Sequence, residues 1–175
     1  MKKHFFILFV SLFMGITTNI LYSQRIFMKL DGNKSGVIKD DDLPGKFNGM
    51  VELTGYQFES AIPKDVASGM ASGRRTKLPL LITKNYSKAS VQLFGALVNN
   101  EVFNSIVIQV YRKNSLGQDV HEQSIKLTNA MINSFKQGTD HTRVISTDNN
   151  PKDEIRISYQ KMELTWIKGN VIAED

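Results

Sequence analysis

The chain has 175 residues, no cysteine and a formal net charge of +5 at pH 7. A chain of this length buries enough surface to form one hydrophobic core without disulfide bonds. Its basic residues are scattered and are not interleaved with aromatic residues, which argues against a nucleic-acid-binding surface.

The N-terminus has the pattern of a secretory signal peptide. Two lysines precede an almost wholly apolar run, residues 5–16, which is shorter than the roughly 20 residues that a transmembrane helix needs. We therefore predict that residues 1–23 are a cleaved signal peptide and that residues 24–175 form a single domain. The expected location is outside the cell, or the periplasm if the general secretory route uses this peptide.

Most of the remaining chain has the short alternating patterns of β-strands separated by turns. In residues 50–62, the alternation of apolar and polar residues shifts by one position at Gly55, which indicates a bend or bulge. Residues 37–48 are polar and irregular, and residues 137–153 form a long polar loop. The predicted strands are residues 25–30, 50–62, 77–83, 106–112, 120–127, 130–135 and 154–167.

A segment of helical periodicity interrupts these strands. Ser87 is a good N-cap residue, and an apolar stripe follows it at helical spacing. We predict an amphipathic helix of about three turns that ends near Asn99. The stripe consists of Val91, Phe94, Leu97 and Val98. The strands and this helix together predict a mainly β fold, a barrel or sandwich with one flanking α-helix.

A glycine-rich loop at residues 68–77 raises the possibility of a phosphate site. Three residues separate Gly69 from Gly73, whereas a P-loop has four, and Arg74 stands where the P-loop has lysine. A strand pattern follows, so no helix N-terminus faces the glycines. We therefore predict no phosphate site here.

The polar residues do not form a catalytic pattern. His121 lies in a predicted strand and His141 in a polar loop, and neither has a second His or Cys at metal-ligand spacing. The acidic run at residues 40–42 is a solvated cluster rather than a pair of acids across a cleft. We predict no enzymatic activity, no cofactor and no small-molecule substrate.

A calcium site is one interpretation of the segment that starts at Asp31 and ends at Asp42. Asp31, Asn33 and Ser35 match the oxygen positions of an EF-hand loop, and Gly36 matches its central glycine. The flanking segments are not helical, and a turn after a first strand favours the same residue types. The sequence leaves both interpretations open.

Residues 72–97, "SGRRTKLPLLITKNYSKASVQLFGAL", resemble the hemolysin-coregulated protein (Hcp) family, which forms the tube of type VI secretion systems. The resemblance rests on Ile82-Thr83-Lys84, then Tyr86, then Lys88-Ala89-Ser90 opening the helix. The segments "MKLDG", "IVIQVYRKNSLGQDVHEQSIKL" and "ISYQKMELTW" match in order and spacing, so the resemblance covers about residues 27–166.

The resemblance implies an Hcp-like β-barrel of two packed antiparallel sheets and one α-helix. It also implies a structural subunit that forms hexameric rings, which stack into a hollow secreted tube with room for effector cargo. Other type VI secretion components would then be partners. Residues 62–77 would reach a neighbouring subunit, and the candidate contact residues are Ser68, Gly69, Ser72, Gly73, Arg74 and Arg75.

The predicted signal peptide leaves an alternative open. Hcp subunits of the secretion tube usually lack such a peptide, because the tube assembles in the cytoplasm. A relative that carries one could instead be exported and act in the periplasm or outside the cell as a binding module or effector.

Overall fold

The computed structural model describes residues 24–41, 43–139 and 151–175. The predicted signal peptide, Asp42 and His141 lie outside the described residues. Within the described ranges, none of the helices has the length and apolar character needed to cross a membrane.

The described residues form twelve strands, an α-helix and a short 3-10 helix. The helix is α1 (Lys88–Val98), and the 3-10 helix is Gly45–Phe47. The strands are β1 (Gln24–Gly32), β2 (Gly36–Ile38), β3 (Val51–Leu53), β4 (Gly55–Gln57), β5 (Ser60–Ala61), β6 (Thr76–Lys77), β7 (Leu80–Asn85), β8 (Val102–Lys113), β9 (Asp119–Gly138), β10 (Lys152–Ser158), β11 (Lys161–Trp166) and β12 (Val171–Glu174).

Ten of these strands form one antiparallel sheet, whose main path runs β2-β1-β8-β9-β10-β7-β4. The long strand β9 organises it, because β9 pairs with β8 along most of its length. The first part of β9 also pairs with β11, and its second part pairs with β10. The strands β5 and β6 pair only with each other within the described residues and form a separate ribbon.

Residues 51–57 connect the two ends of this sheet path. The strand β3 pairs with β1, and β4 pairs with β7 at the other end. Between them, Thr54 N donates a hydrogen bond of 2.8 Å to Thr83 O. A single short segment therefore bridges both ends, and the sheet curls round its core. The predicted fold class, mainly antiparallel β with a flanking helix, is confirmed.

The core lies inside this curled sheet, under α1. Alternating residues of each strand point into it, as the period of two in a β-strand requires. In β8 the inward residues Ile106, Ile108 and Val110 are buried. Other fully buried members include Met28, Leu30, Ile38, Leu80, Ile82, Leu93, Phe103, Ile125, Ile155 and Ile157.

A second, smaller cluster packs on the other face of the sheet. Phe27 and Phe47 stack with ring centroids 3.9 Å apart, and Tyr111 meets Phe47 edge-on at 5.1 Å. The Arg25 guanidinium lies 4.8 Å from the Phe27 centroid and 4.9 Å from the Phe47 centroid. This cation covers the rings, which fixes the 3-10 helix against the first strand.

Several predicted strands have different bounds in the structure. The predicted strand at residues 50–62 is three short strands that change partner, and its first break, at Thr54, directly precedes the bend predicted at Gly55. The predicted strand at 77–83 is interrupted before Leu80. The strands predicted at 120–127 and 130–135 are one strand, and that predicted at 154–167 is two. The short strands β2 and β12 were missed, because neither is longer than four residues.

The helix prediction is correct in place, but the helix buries a different face from its largest apolar stripe. The residues of α1 that face the core are Ala89, Ser90, Leu93 and Ala96. Val91, Phe94 and Val98 are 63%, 50% and 62% exposed, although Leu97 of the same stripe packs partly against the core. On the buried face, small residues flank Leu93 and let the helix lie close to the sheet.

Candidate functional site

The six candidate contact residues all lie on one projecting ribbon, residues 59–78, here called the arm. Every residue of the arm is exposed. The pairing of β5 with β6 and the hydrogen bond from Leu78 N to Glu59 O (3.2 Å) form its base. Further out, Ser72 N donates to Pro63 O at 2.7 Å, and Lys64 bridges to Ala71. The segment predicted as an extended loop is thus a hydrogen-bonded β-ribbon that stands off the body.

A turn around one carboxylate forms the tip of the arm. Asp65 Oδ1 accepts hydrogen bonds from Ser68 N (2.7 Å), Ala67 N (2.9 Å) and Ser68 Oγ (3.0 Å). These bonds, with that from the Ser68 amide foremost, lower the pKa of the Asp65 carboxyl. Gly69 N and Met70 O then bond to the Asp65 backbone, each at 2.9 Å. Ser68 therefore has a local role at the tip, where it shapes the turn.

The two glycines of the candidate set allow the arm to turn back. Gly69 has a φ of +68° and Gly73 a φ of +97°, which are conformations that favour glycine. These conformations let the ribbon reverse its direction. The rejection of a phosphate site agrees with this geometry, since β7 rather than a helix follows the arm.

The two arginines of the arm have different surroundings. Arg75 forms an ion pair with Asp175, and Lys77 Nζ lies 2.7 Å from the same Asp175 oxygen. These two cations attach the base of the arm to the end of the chain. Arg74 belongs to none of the ion pairs formed among the described residues, so its guanidinium is open to a partner.

The turn considered for calcium binds a carboxylate instead. Glu101 Oε1 accepts hydrogen bonds from Lys34 N (2.6 Å) and Ser35 N (3.0 Å), and Ser35 Oγ donates to Oε2. Backbone amides therefore point into this turn, which suits an anion rather than a cation. Asn33 donates its amide to Val102 O at 3.2 Å. The geometry favours the interpretation of the segment as a turn between β1 and β2.

Residues 82–90, on which the family resemblance rests, contribute to a buried polar cluster at the start of α1. Lys84 is fully buried, and its Nζ donates to Asn85 O (2.6 Å), Ser87 Oγ (2.7 Å) and Ser90 Oγ (2.9 Å). Its ammonium lies 3.4 Å from Asp153 Oδ2, and Ser90 Oγ also donates to this oxygen. Burial lowers the pKa of Lys84, although Asp40 and Asp153 oppose that shift. The cluster fastens the helix N-terminus to β7 and β10.

From the sequence, Lys84 was noted only as part of the family motif, and Asp153 was not predicted. The available signal was a lysine at an inward position of β7, between Ile82 and the helix cap. A charged residue at such a position needs a buried partner of opposite charge. Asp153 could not be identified from spacing, because 69 residues separate the two in sequence.

The remaining polar candidates do not converge. His121 Nε2 lies 3.1 Å from both Gln123 O and Ser124 Oγ, and its ring stacks on Tyr111. Asp40 accepts a hydrogen bond from Glu52 N at 2.8 Å, and Asp41 pairs with a lysine of α1. In the described ranges, no three His, Cys, Asp or Glu side chains are grouped so that they could hold a metal ion.

Comparison with known proteins agrees with this architecture. A profile of the family described as "Type VI secretion system effector, Hcp" matches residues 27–166. The chain is 31% identical over 119 residues to the "Major exported protein" of Pseudomonas aeruginosa, which covers 63% of this chain and 69% of that protein.

Solved structures have the same fold. A crystal structure of an Hcp protein superposes with a TM-score of 0.80 at 20% identity, covering 87% of this chain and 97% of the other. The Hcp1 protein from E. coli EAEC 042 superposes with a TM-score of 0.75 at 23% identity, covering 86% of this chain and 97% of the other. From the family profile and this shared fold, we conclude that the chain belongs to the Hcp family, the tube proteins of type VI secretion systems.

Proposed function

We propose that this protein is a secreted structural subunit that assembles into hexameric rings, which stack into a hollow tube able to carry effector proteins. It acts by self-association rather than by catalysis. The observation that carries the proposal is the arm, a fully exposed ribbon on a chain that belongs to a tube-forming family. A ribbon of this kind has no core of its own and gains stability when a partner covers it.

The contact residues are proposed to be Ser68, Gly69, Ser72, Gly73, Arg74 and Arg75. A ring of identical subunits needs head-to-tail contacts, in which one surface of a copy meets a different surface of the next. A projecting arm supplies one of the two surfaces. The family match favours this function over an exported module unrelated to tubes, and the name of the Pseudomonas aeruginosa relative, "Major exported protein", supports secretion.

We also propose that the mature chain starts at Gln24. Gln24 already belongs to β1 and pairs with Arg112 of β8, so cleavage before it would leave this strand intact in the domain. N-terminal sequencing of the exported protein checks this. Gln24 as the first residue supports cleavage, whereas an exported protein that begins at Met1 contradicts it.

The arm can be removed to test its role. We expect a variant in which residues 62–75 are replaced by Asn-Gly to stay folded, because a two-residue turn of this type closes a hairpin and the arm contributes nothing to the core. Sedimentation velocity should show a large assembly for the intact chain of residues 24–175 and a monomer for the variant. An assembly of unchanged size in the folded variant would contradict the role of the arm.

A further inference from the structure

The base of the arm is tied to the body of the protein through one carboxylate. Asp175 Oδ1 lies 2.7 Å from Lys77 Nζ and also accepts a hydrogen bond from the Arg75 guanidinium. Lys77 Nζ donates a further hydrogen bond of 3.4 Å to Gln160 O. Among the described residues, no other hydrogen bond or ion pair joins the arm to the rest of the chain. Asp175 and its two cations are here called the clamp.

The sheet holds Asp175 in a fixed position. The strand β12, which directly precedes it, pairs with β11, and the Asp175 backbone N donates a hydrogen bond of 3.0 Å to Met162 O of β11. The Asp175 side chain is 15% exposed, whereas those of Arg75 and Lys77 are 42% and 34% exposed. A partly buried carboxylate that binds two cations is screened less than a single pair on the surface. The clamp can therefore restrain the arm.

Packing does not restrain the arm in the same way. Every residue of the arm is exposed, and none of its apolar side chains belongs to either hydrophobic cluster. A groove of about 140 Å³ lies at its base, with Phe58, Leu78 and Arg156 in its lining. A two-stranded ribbon without a core is only marginally stable and has space here to tilt as a unit. The direction of the arm therefore depends on the clamp.

We propose that the clamp sets the direction in which the arm leaves the body, and that Asp175 is its positioning residue. Without the Asp175 carboxylate, the arm keeps its own hydrogen bonds but tilts about its base at Glu59 and Leu78. An arm with a fixed direction loses little conformational freedom when a partner covers it, which favours binding. This consequence for binding rests on the proposed self-association, whereas the clamp itself acts within one chain.

The direction of the arm can be measured as a distance within one chain, because the chain contains no cysteine. Spin labels at Met70→Cys, near the tip, and Leu116→Cys, exposed between β8 and β9, report this distance by pulsed electron paramagnetic resonance. An excess of unlabelled protein ensures that distances between copies are not recorded. We expect a narrow distribution of distances with the clamp intact and a distribution about twice as wide in Asp175→Asn, where the restraint is lost.

Two matched variants make this measurement specific for the clamp. Asp175→Glu keeps a carboxylate at this position and should restore the narrow distribution. Glu174→Gln removes the neighbouring carboxylate, which pairs with Lys161 rather than with the arm, and should leave the distribution narrow. Neither Asp175 nor Glu174 belongs to the hydrophobic core, so we expect all three variants to fold.

The results separate the clamp from self-association. A distribution that is equally wide in the intact protein and in Asp175→Asn overturns the clamp, whether both are narrow or both are broad. Ring formation does not enter this comparison, so an intact chain that stays monomeric contradicts the proposed function and not the clamp. Sedimentation of unlabelled Asp175→Asn tests the consequence for binding. We expect association to weaken about tenfold, and association of unchanged strength would overturn that consequence.

Discussion

Lys84 holds its charge inside the protein only because every donor position has a partner. Asn85, Ser87, Ser90 and Asp153 surround its ammonium. The variant Lys84→Met leaves the Asp153 carboxylate buried without its cation. We expect the free energy of unfolding to fall by about 3 kcal/mol, the usual cost of breaking a buried pair from one side. Equilibrium denaturation in urea measures this.

A double variant separates the loss of charge balance from the loss of packing around Lys84. In Lys84→Met/Asp153→Asn no buried charge stays unpaired, because the new amide oxygen can accept from Gln137 while the amide NH2 donates to Ser90 Oγ. We expect it to be more stable than Lys84→Met alone. If Lys84→Met is as stable as the unaltered protein, the cluster does not fasten the helix.

The Glu101 carboxylate makes the stability of the fold depend on pH in the acidic range. Burial would raise the pKa of Glu101, but the hydrogen bonds from Ser35 and the Lys34 amide outweigh burial, and the pKa is lowered. The stabilisation of the fold by the ionised Glu101 side chain is complete at pH values above the ordinary glutamate pKa, about 4.3. It is lost as the pH falls through the lower pKa of the folded state.

The variant Glu101→Gln tests this dependence. We expect it to lower the free energy of unfolding by about 2 kcal/mol at pH 7, because charge-assisted hydrogen bonds become neutral ones. The difference between the two proteins should shrink as the pH falls below about 4, where the unfolded glutamate is protonated. Denaturation at a series of pH values gives the answer, and a difference that is equal at all pH values would argue against the assignment.

Residue types predicted where polar groups lie along the chain better than they predicted which residues those groups bind. The Asp, Asn, Ser and Gly of residues 31–36 correctly predicted a turn, because these residue types favour turns. The glutamate that the turn binds was not predicted, since it lies more than sixty residues away in sequence. Such long-range pairs depend on how β1 and β8 are placed side by side.

Periodicity located α1 almost to the residue, but it did not identify the face that α1 buries. The sequence contains two apolar faces, one formed by the stripe of Val91, Phe94, Leu97 and Val98 and one on which small residues flank Leu93. The helical pattern alone favours the stripe with more large residues, whereas close packing on β9 selects the face around Leu93. A helix whose larger apolar residues stay outside is typical of a surface reserved for a partner.

Two substitutions in α1 distinguish its faces. Leu93→Ala removes a fully buried side chain and should lower the free energy of unfolding by about 3 kcal/mol. Val91→Ala removes an exposed one and should change that quantity by about 0.5 kcal/mol or less. Both are measured by denaturation at low protein concentration, so that association does not contribute. Equal losses in the two variants would show that the outer face is packed within the subunit.

Strand order was less predictable than strand content. The change of phase at Gly55 indicated a bend, but not that β3 and β4 pair with opposite ends of the sheet. The breaks that divide the predicted strands occur at Thr54, at Phe58-Glu59, at Leu78-Pro79 and at Tyr159-Gln160. Only the proline has a strong local cause, because it lacks a backbone donor. At Thr54 the chain changes its pairing partner from β1 to β7, a tertiary cause that the local sequence does not show.

The described part of the molecule has two exposed surfaces on one body. A curled sheet forms this body, the arm precedes β7, and the exposed outer side of α1, with Val91, Phe94 and Val98, follows β7. Such a subunit can contact two neighbours at once through different surfaces, which is the condition for a closed ring. The polar clusters around Lys84 and Glu101 stabilise the body and leave these two surfaces open.

Native mass spectrometry of residues 24–175 tests the ring most directly, because it counts subunits. We expect the mass of a hexamer to dominate at micromolar concentration and to shift towards the monomer when Arg74 is replaced by Glu. A spectrum that contains only the monomer, at every concentration at which the protein stays soluble, would contradict a tube subunit.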